Sequence, residues 1–358
     1  MKRIIIILLA VTLYSCDTPT ESSAPNLPKP TKVILLIGDG MGLSQVSSAY
    51  YYKESSPNFS RFSTIGLINT SSAKQKITDS AAGATAFASG VKSYNGAIGV
   101  DSDTISVPTI IEIVSDKGWN TGVISTSSIT HATPASFYAH QRSRRMADEI
   151  AAQLAESPVD FIAGGGLEYF SGNIDNQNSF EALQTADFEV HSDTITEKMN
   201  LDKRQIFLMA EDGMPRMLDG RGAFLSQAFT KGSRYLDNKG GSFFMMVEGS
   251  QIDWGGHDND ADYLITELLD FDATIGEVLD YAQKDGNTLV IVTADHETGG
   301  FTLGSNQGNY NEIAPSFSTG GHSTTLIPVF AYGPGSELFG GIYQNTDIYH
   351  KMMQAIER

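Results

Sequence analysis

Several short stretches of this chain gather carboxylate and imidazole side chains between glycines, a mixture that suits a divalent cation needing oxygen and nitrogen donors together. The densest is Glu248-Gly249-Ser250-Gln251-Ile252-Asp253-Trp254-Gly255-Gly256-His257, which places Glu248, Asp253 and His257 within ten residues. Another, Thr293-Ala294-Asp295-His296-Glu297-Thr298-Gly299-Gly300, sets Asp295 beside His296, and His322 follows Gly320-Gly321. Asp39 adds a carboxylate in Ile37-Gly38-Asp39-Gly40-Met41-Gly42, where glycines let a backbone turn sharply next to a ligand. Taken singly, each has a plainer reading: a structural Asp in a Gly-rich turn, an acidic loop capping a helix, a solvated histidine. Three histidines, each beside glycine or acid, point instead to bound metal.

Ser80 lies in Thr78-Asp79-Ser80-Ala81-Ala82-Gly83-Ala84-Thr85-Ala86, where small residues open a helix. Asp79 or Ser80 could serve only as the N-cap. The chemical reading puts the Ser80 hydroxyl at a helix N-terminus, where backbone N–H groups and the dipole attract phosphate. A cation nearby would lower its pKa and make it a nucleophile. Downstream, His131-Ala132-Thr133-Pro134 leads to Arg142, Arg144 and Arg145. One inward guanidinium would grip two phosphate oxygens bidentately, and spacing alone does not choose among the three. His140, His191 and His350 lack clustered partners and are assigned structural or surface roles.

Most of these residues follow short β-rich apolar runs at Val33–Ile37, Thr121–Ser125, Val159–Ile162, Phe243–Val247, Leu289–Val292 and Ile327–Phe330. Helix-like segments alternate with the runs, which predicts an α/β fold with a largely buried sheet and a site at its carboxyl edge. The clearest helix spans roughly Asn259 to Lys284, with Leu264, Leu268, Phe271, Ile275, Val278 and Ala282 along one face. Two irregular stretches, near residues 168–221 and 302–317, break the alternation and are expected to be excursions from a single domain covering 32–358.

The beginning of the chain carries different information. Lys2 and Arg3, the apolar run Ile4 to Leu13 and then Tyr14-Ser15-Cys16 read as an export signal, too short to span a bilayer. Leu13-Tyr14-Ser15-Cys16 resembles a bacterial lipobox, so residues 1–16 are expected to be a lipoprotein-type signal that leaves a lipidated Cys16. Plain cleavage is the other outcome. Residues 17–31, rich in Ser, Thr and Pro, suit a flexible tether. Cys16 is the only cysteine, so the folded part has no disulfide and its stability must come from packing and metal. A formal charge of −18 argues against nucleic acid as a partner, because a polyanion needs basic surface.

Together, Ile37-Gly38-Asp39-Gly40-Met41-Gly42, Thr78-Asp79-Ser80-Ala81, Ala132-Thr133-Pro134, Glu248-Gly249 with Asp253 and His257, and Thr293-Ala294-Asp295-His296 resemble the alkaline phosphatase family. The resemblance runs from about Lys32 to near the C-terminus. It implies an α/β three-layer sandwich around a mostly parallel sheet, with crown-type insertions, and usually a homodimer. It also implies hydrolysis of phosphate monoesters through a phosphoserine on Ser80. Asp253, His257 and His322 would hold one zinc; Asp39, Asp295, His296 and the Ser80 oxygen a second; Asp39, Thr133 and Glu248 a magnesium. Family spacing selects Arg144 as the phosphate clamp. His131 and Trp254 stand where the best-known bacterial member has Asp and Lys, a pair that looks like the marine and cold-adapted branch, and both are expected beside the ligands rather than among them.

Two other functions share parts of this pattern. A phosphodiesterase or sulfatase of the same superfamily would keep the two-metal frame, but Ser80 is followed by Ala81-Ala82-Gly83, not the Pro and Arg context of formylglycine formation. A non-catalytic phosphate-binding lipoprotein would have no need of a nucleophile among so many metal ligands.

Overall fold

Apolar runs without alternation form strands that are covered on both faces, and all six of the predicted runs enter one ten-stranded sheet. A computed structural model describes residues 28–358 except 171–172 and 175–176. The predicted signal, the lipobox Cys16 and most of the 17–31 tether lie outside the described residues. From one edge, the strands are Gly341–Gln344, Thr64–Asn69, Ile327–Tyr332, Thr288–Thr293, Lys32–Gly38, Phe243–Gly249, Asn120–Ser128, Phe161–Gly165, Arg204–Leu208 and Phe188–His191. Ile327–Tyr332 runs antiparallel to both neighbours. Every other pairing is parallel.

Two groups of helices sandwich the sheet, giving three layers. Phe224–Lys239 and Ala261–Asp285 pack together and on the central strands, while Ser80–Ser89, Ile110–Asp116, Ala132–Ala135 and Thr346–Ile356 form the second group. The helix predicted near Asn259 to Lys284 runs Ala261–Asp285. Asp260 caps it by accepting a hydrogen bond from Tyr263 N at 3.0 Å, and Gly286 ends it with a left-handed φ of 78°. All six residues of the predicted apolar stripe are buried, the five larger ones each contributing about 1.5–3 kcal/mol of burial.

Phe271 of that stripe explains two site glycines. A Cβ on Gly38 would come 3.1 Å from its ring and one on Gly249 2.8 Å. These glycines admit the phenyl ring beneath the site, whereas Gly40, at φ 73°, makes the sharp turn.

The irregular stretches differ from expectation. Residues 168–221 include Phe188–His191 and Arg204–Leu208, which extend the central sheet, so this segment is in part regular structure. Residues 302–317 hold an exposed antiparallel hairpin, Thr302–Asn306 with Asn309–Ser316. Among the described residues no helix is long and apolar enough to cross a membrane.

Candidate active site

Sheet register brings the acidic residues together. Ile37 lies between Thr293 and Glu248 in adjacent parallel strands, and Ser125 lies on the far side of Glu248. Asp39 and Asp295 therefore leave neighbouring strands at the same edge where Glu248 ends its own. Asp39, Glu248, Asp253 and Asp295 are each at most 4% exposed. Both oxygens of Asp39, Oε1 of Glu248 and Oδ2 of Asp295 are buried without a hydrogen-bond partner. So many desolvated, unpaired carboxylate atoms suit a site that holds cations. Burial and the charges of Asp295, Asp253 and Glu248 push Asp39 well above the usual carboxylate range, and burial with Asp253 and Glu248 raises Asp295 to about 8.

Three ligand groups emerge. Asp253, His257 and His322 form the first. His257 Nδ1 lies 2.8 Å from Gly320 O and His322 Nδ1 2.8 Å from Thr78 O. A carbonyl only accepts, so both Nδ1 atoms carry the proton and both Nε2 atoms present lone pairs. Those Nε2 atoms are 3.1 Å apart and lie 3.4 and 3.6 Å from the Asp253 oxygens. Two lone pairs and a carboxylate converging on one point fit a divalent cation with nitrogen and oxygen ligands.

Asp39, Asp295 and His296 form the second group. Thr298 Oγ1 donates to Asp253 and so can only accept from His296 Nδ1, 3.2 Å away. That fixes the proton on Nδ1 and leaves Nε2 facing Asp39 at 3.5 Å, Asp295 at 3.3 Å and Ser80 Oγ at 3.3 Å. Burial, followed by His322 and Arg144, holds His296 well below its ordinary pKa, which keeps it neutral. One buried threonine hydroxyl thus orients ligands of two groups, a role that neighbouring residue types in the sequence do not signal. Thr298→Val keeps the shape and removes the hydroxyl; it is expected to weaken divalent-metal affinity about 10–100-fold. Competition against a chromogenic chelator measures this, and wild-type affinity would remove Thr298 from the orienting network.

The third group is Asp39, His131 and Glu248. His131, expected beside the ligands, brings a ring nitrogen within 4.8 Å of both carboxylates. Its Nε2 lies 3.0 Å from Arg144 Nη2, which donates, and its Nδ1 is buried without a partner. Burial and the Arg144 charge lower its pKa to about 3. Thr133 Oγ1, an expected ligand, is also buried without a partner. Ser125 Oγ donates to Glu248 Oε2 at 2.6 Å, orienting the carboxylate. Trp254 meets His131 edge-on, with centroids 6.0 Å apart.

Ser80 begins the Ser80–Ser89 helix, whose N-cap is Asp79. Asp79 Oδ1 accepts from Ala82 N at 3.1 Å, which frees Ser80 from capping and leaves its hydroxyl at the positive end of the helix beside His296. Arg144 Nη1 reaches Asp79 Oδ2 at 3.2 Å, whereas Arg142 and Arg145 are exposed. Glu297, adjacent to His296, is structural: it accepts from Gln45, Phe301 N and Ser323. Its pairing with Ser323, and that of Thr298 with His322, clamps two ligand loops together. His140 contacts Glu112 and Gly99 O, and His191 contacts Gln205 and stacks on Phe207, away from these groups.

A doubly covered α/β sheet with a serine at a helix start among three groups of possible metal ligands is the setting of a hydrolase site. The family model described as alkaline phosphatase matches residues 31–316. Alkaline phosphatase 3 of Bacillus subtilis (strain 168) is 32% identical over 94% of this chain and 91% of its own length. The alkaline phosphatase of Escherichia coli (strain K12) is 29% identical over 92% of this chain and 86% of its own. The solved alkaline phosphatase from the Antarctic bacterium TAB5 superposes with a TM-score of 0.90 at 52% identity, covering 93% of this chain and 99% of that one. A variant of it with one histidine replaced by aspartate, described with magnesium in its M3 site, gives 0.89 at 51% identity, with the same coverage. The chain belongs to the alkaline phosphatase family, and it is a phosphomonoester hydrolase.

Proposed function

We propose that hydrolysis proceeds through a covalent phosphoserine on Ser80, with two zinc ions in the first two ligand groups and magnesium in the third. The observation that carries this reading is the convergence of three imidazole Nε2 lone pairs and four buried carboxylates in linked ligand groups, one of which presents His296 Nε2 to the Ser80 hydroxyl. Asp39, Glu248 and Thr133 would hold the magnesium, with His131 beside them and its Nε2 taken up by Arg144; the magnesium-bound M3 site of the Antarctic enzyme's aspartate variant supports an ion in this group. When bound, the ions would lower the pKa of the serine hydroxyl and neutralise charge on the attacking and leaving oxygens.

The chain's own residues do the rest. The Ser80–Ser89 helix aims its N-terminal backbone at the phosphate, and Arg144, held by Asp79 and His131, grips phosphate oxygens. Ser80 Oγ bonds to phosphorus as the ester oxygen leaves, and water then cleaves the Ser80–phosphate bond and restores the serine. Each displacement inverts phosphorus, so its configuration is retained overall. The metal-loaded protein should cleave an aryl phosphate far faster than an aryl phosphodiester or an aryl sulfate, and a chelator should abolish turnover. Faster diester or sulfate cleavage would move the chain to another branch of the superfamily, and phosphate binding without turnover would make it a capture protein.

Arg144→Ala should weaken inhibition by inorganic phosphate and lower kcat/KM, since each charge-assisted hydrogen bond lost costs about 1.5–3 kcal/mol. Equal losses from Arg142→Ala or Arg145→Ala would reassign the clamp. Residues 1–16 further support export, with Cys16 as a lipid anchor to the membrane. A homodimer is supported by exposed Tyr50 and Tyr51 on the Leu43–Tyr52 helix beside the hairpin that carries exposed Tyr310.

A further inference from the structure

Trp254 is held between the site and a loop, residues 209–222, that carries no ligand. The loop is pinned along its length. Met214 N donates to Thr126 O at 3.0 Å, and Gln251 Nε2 donates to Met214 O at 2.6 Å and Thr126 O at 3.0 Å. Met217 N donates to Glu267 Oε1 at 2.8 Å. Arg221, its side chain 1% exposed, reaches Glu267 at 2.5 Å and Asp270 at 2.8 Å on the Ala261–Asp285 helix. A Cβ on Gly165 would fall 1.8 Å from Asp212 O, so the loop also lies hard against a sheet strand.

Gly213 presents bare backbone to the indole at the centre of this pinned segment. A Cβ there would lie 2.6 Å from Trp254 Cη2 and 3.1 Å from Cζ3. Gly213 is absent from the positive-φ positions, so the glycine supplies room rather than a turn. Trp254 also meets the His131 ring, which accepts from Arg144. We propose that Gly213, backed by the Arg221-pinned loop, is a positioning residue: it sets the depth of Trp254, and through Trp254 the His131–Arg144 pair that holds phosphate.

The inference rests on Arg144 being the clamp. Its test is a double-mutant cycle on the metal-loaded enzyme, read as the inhibition constant for inorganic phosphate together with kcat and KM. Gly213→Ala should displace the indole that meets His131 and raise the phosphate inhibition constant about fivefold or more, within the range of couplings between contacting residues. In a Trp254→Phe background, which removes the atoms a new Cβ would strike, the same change should alter it less than about twofold. Arg221→Lys keeps the buried charge but gives up the second guanidinium nitrogen, Nη1, which donates to Pro215 O within the loop; it should act in the same direction with Trp254 present and lose its effect in Trp254→Phe. It stands in if Gly213→Ala does not fold. Unchanged phosphate inhibition in Gly213→Ala, or equal fold-changes with and without Trp254, overturns the proposal. Should Arg144→Ala leave phosphate inhibition untouched, the clamp reading itself fails; should Arg144→Ala weaken it while the cycle shows no coupling, only the backstop falls.

Discussion

Replacing Ser80 by alanine is expected to lower turnover by roughly three to six orders of magnitude while the protein keeps its ions. The hydroxyl is buried, freed from capping by Asp79 and aimed at His296 Nε2. Competing hydroxyls are engaged elsewhere. Thr78 Oγ1 donates to Asp79 O, and Thr85 Oγ1 donates to Ala97 O and accepts from Gly99 N within the protein interior. Acid quenching during turnover should trap phosphate on the peptide containing Ser80. Phosphate recovered on Thr78 or Thr85, or residual turnover near that of the wild type, would contradict the assignment. Metal content of Ser80→Ala, measured by elemental analysis, separates loss of the nucleophile from loss of the site.

Asp39→Asn should produce the second large effect, and one of opposite sign in two states. Asp39 belongs to two ligand groups at once, so the substitution weakens both, and turnover should fall at least 100-fold, beyond the usual cost of a supporting residue. Thermal unfolding supplies the sharper readout. Ions bound at about 100 times Kd stabilise the folded state by about 2.7 kcal/mol per site, so the metal-loaded variant should melt below the metal-loaded wild type. Stripped of metal by chelator, the order should reverse. The wild type then keeps an unpaired buried carboxylate among three others, which the amide relieves. The same ranking with and without chelator would show that Asp39 is not a shared ligand.

Parts of this structure were readable from the chain and parts were not, for definite reasons. Lys32–Gly38, Phe243–Gly249 and Thr288–Thr293 are buried along almost their whole length, so their sequences are nearly uniform in apolar type. Thr64–Asn69 and Gly341–Gln344 form one margin of the sheet, where Ile65 and Ile342 point outward at 57% and 71% exposure and break the pattern of burial. Phe188–His191 and Arg204–Leu208, at the other margin, carry polar residues such as Glu189 and Arg204 that mask them. In the site, the acid and histidine groupings are local in sequence and stand out. Thr298, Ser125 and Gly213 act on residues distant along the chain or through packing, and only the folded register shows what they touch. His131 looks like a neighbour of Thr133 on paper because the bend at the start of Ala132–Ala135, which brings its ring to Asp39 and Glu248, has no sequence mark.

The placement of Lys32–Gly38 at the heart of the sheet has a consequence for how the chain is made. Among the described residues it is the earliest strand synthesised, yet Lys32 pairs with Phe243 and Thr288, both far downstream. Closing such long loops before any native pairing rewards them makes folding slow and dominated by distant contacts. Asp39 therefore waits, without its fellow ligands, until Asp295 and His322 have left the ribosome. A nascent chain halted before Phe243 lacks both partner strands for its first strand and most of the groups that would capture an ion. Capture of ions by all three groups would have to follow synthesis of His322.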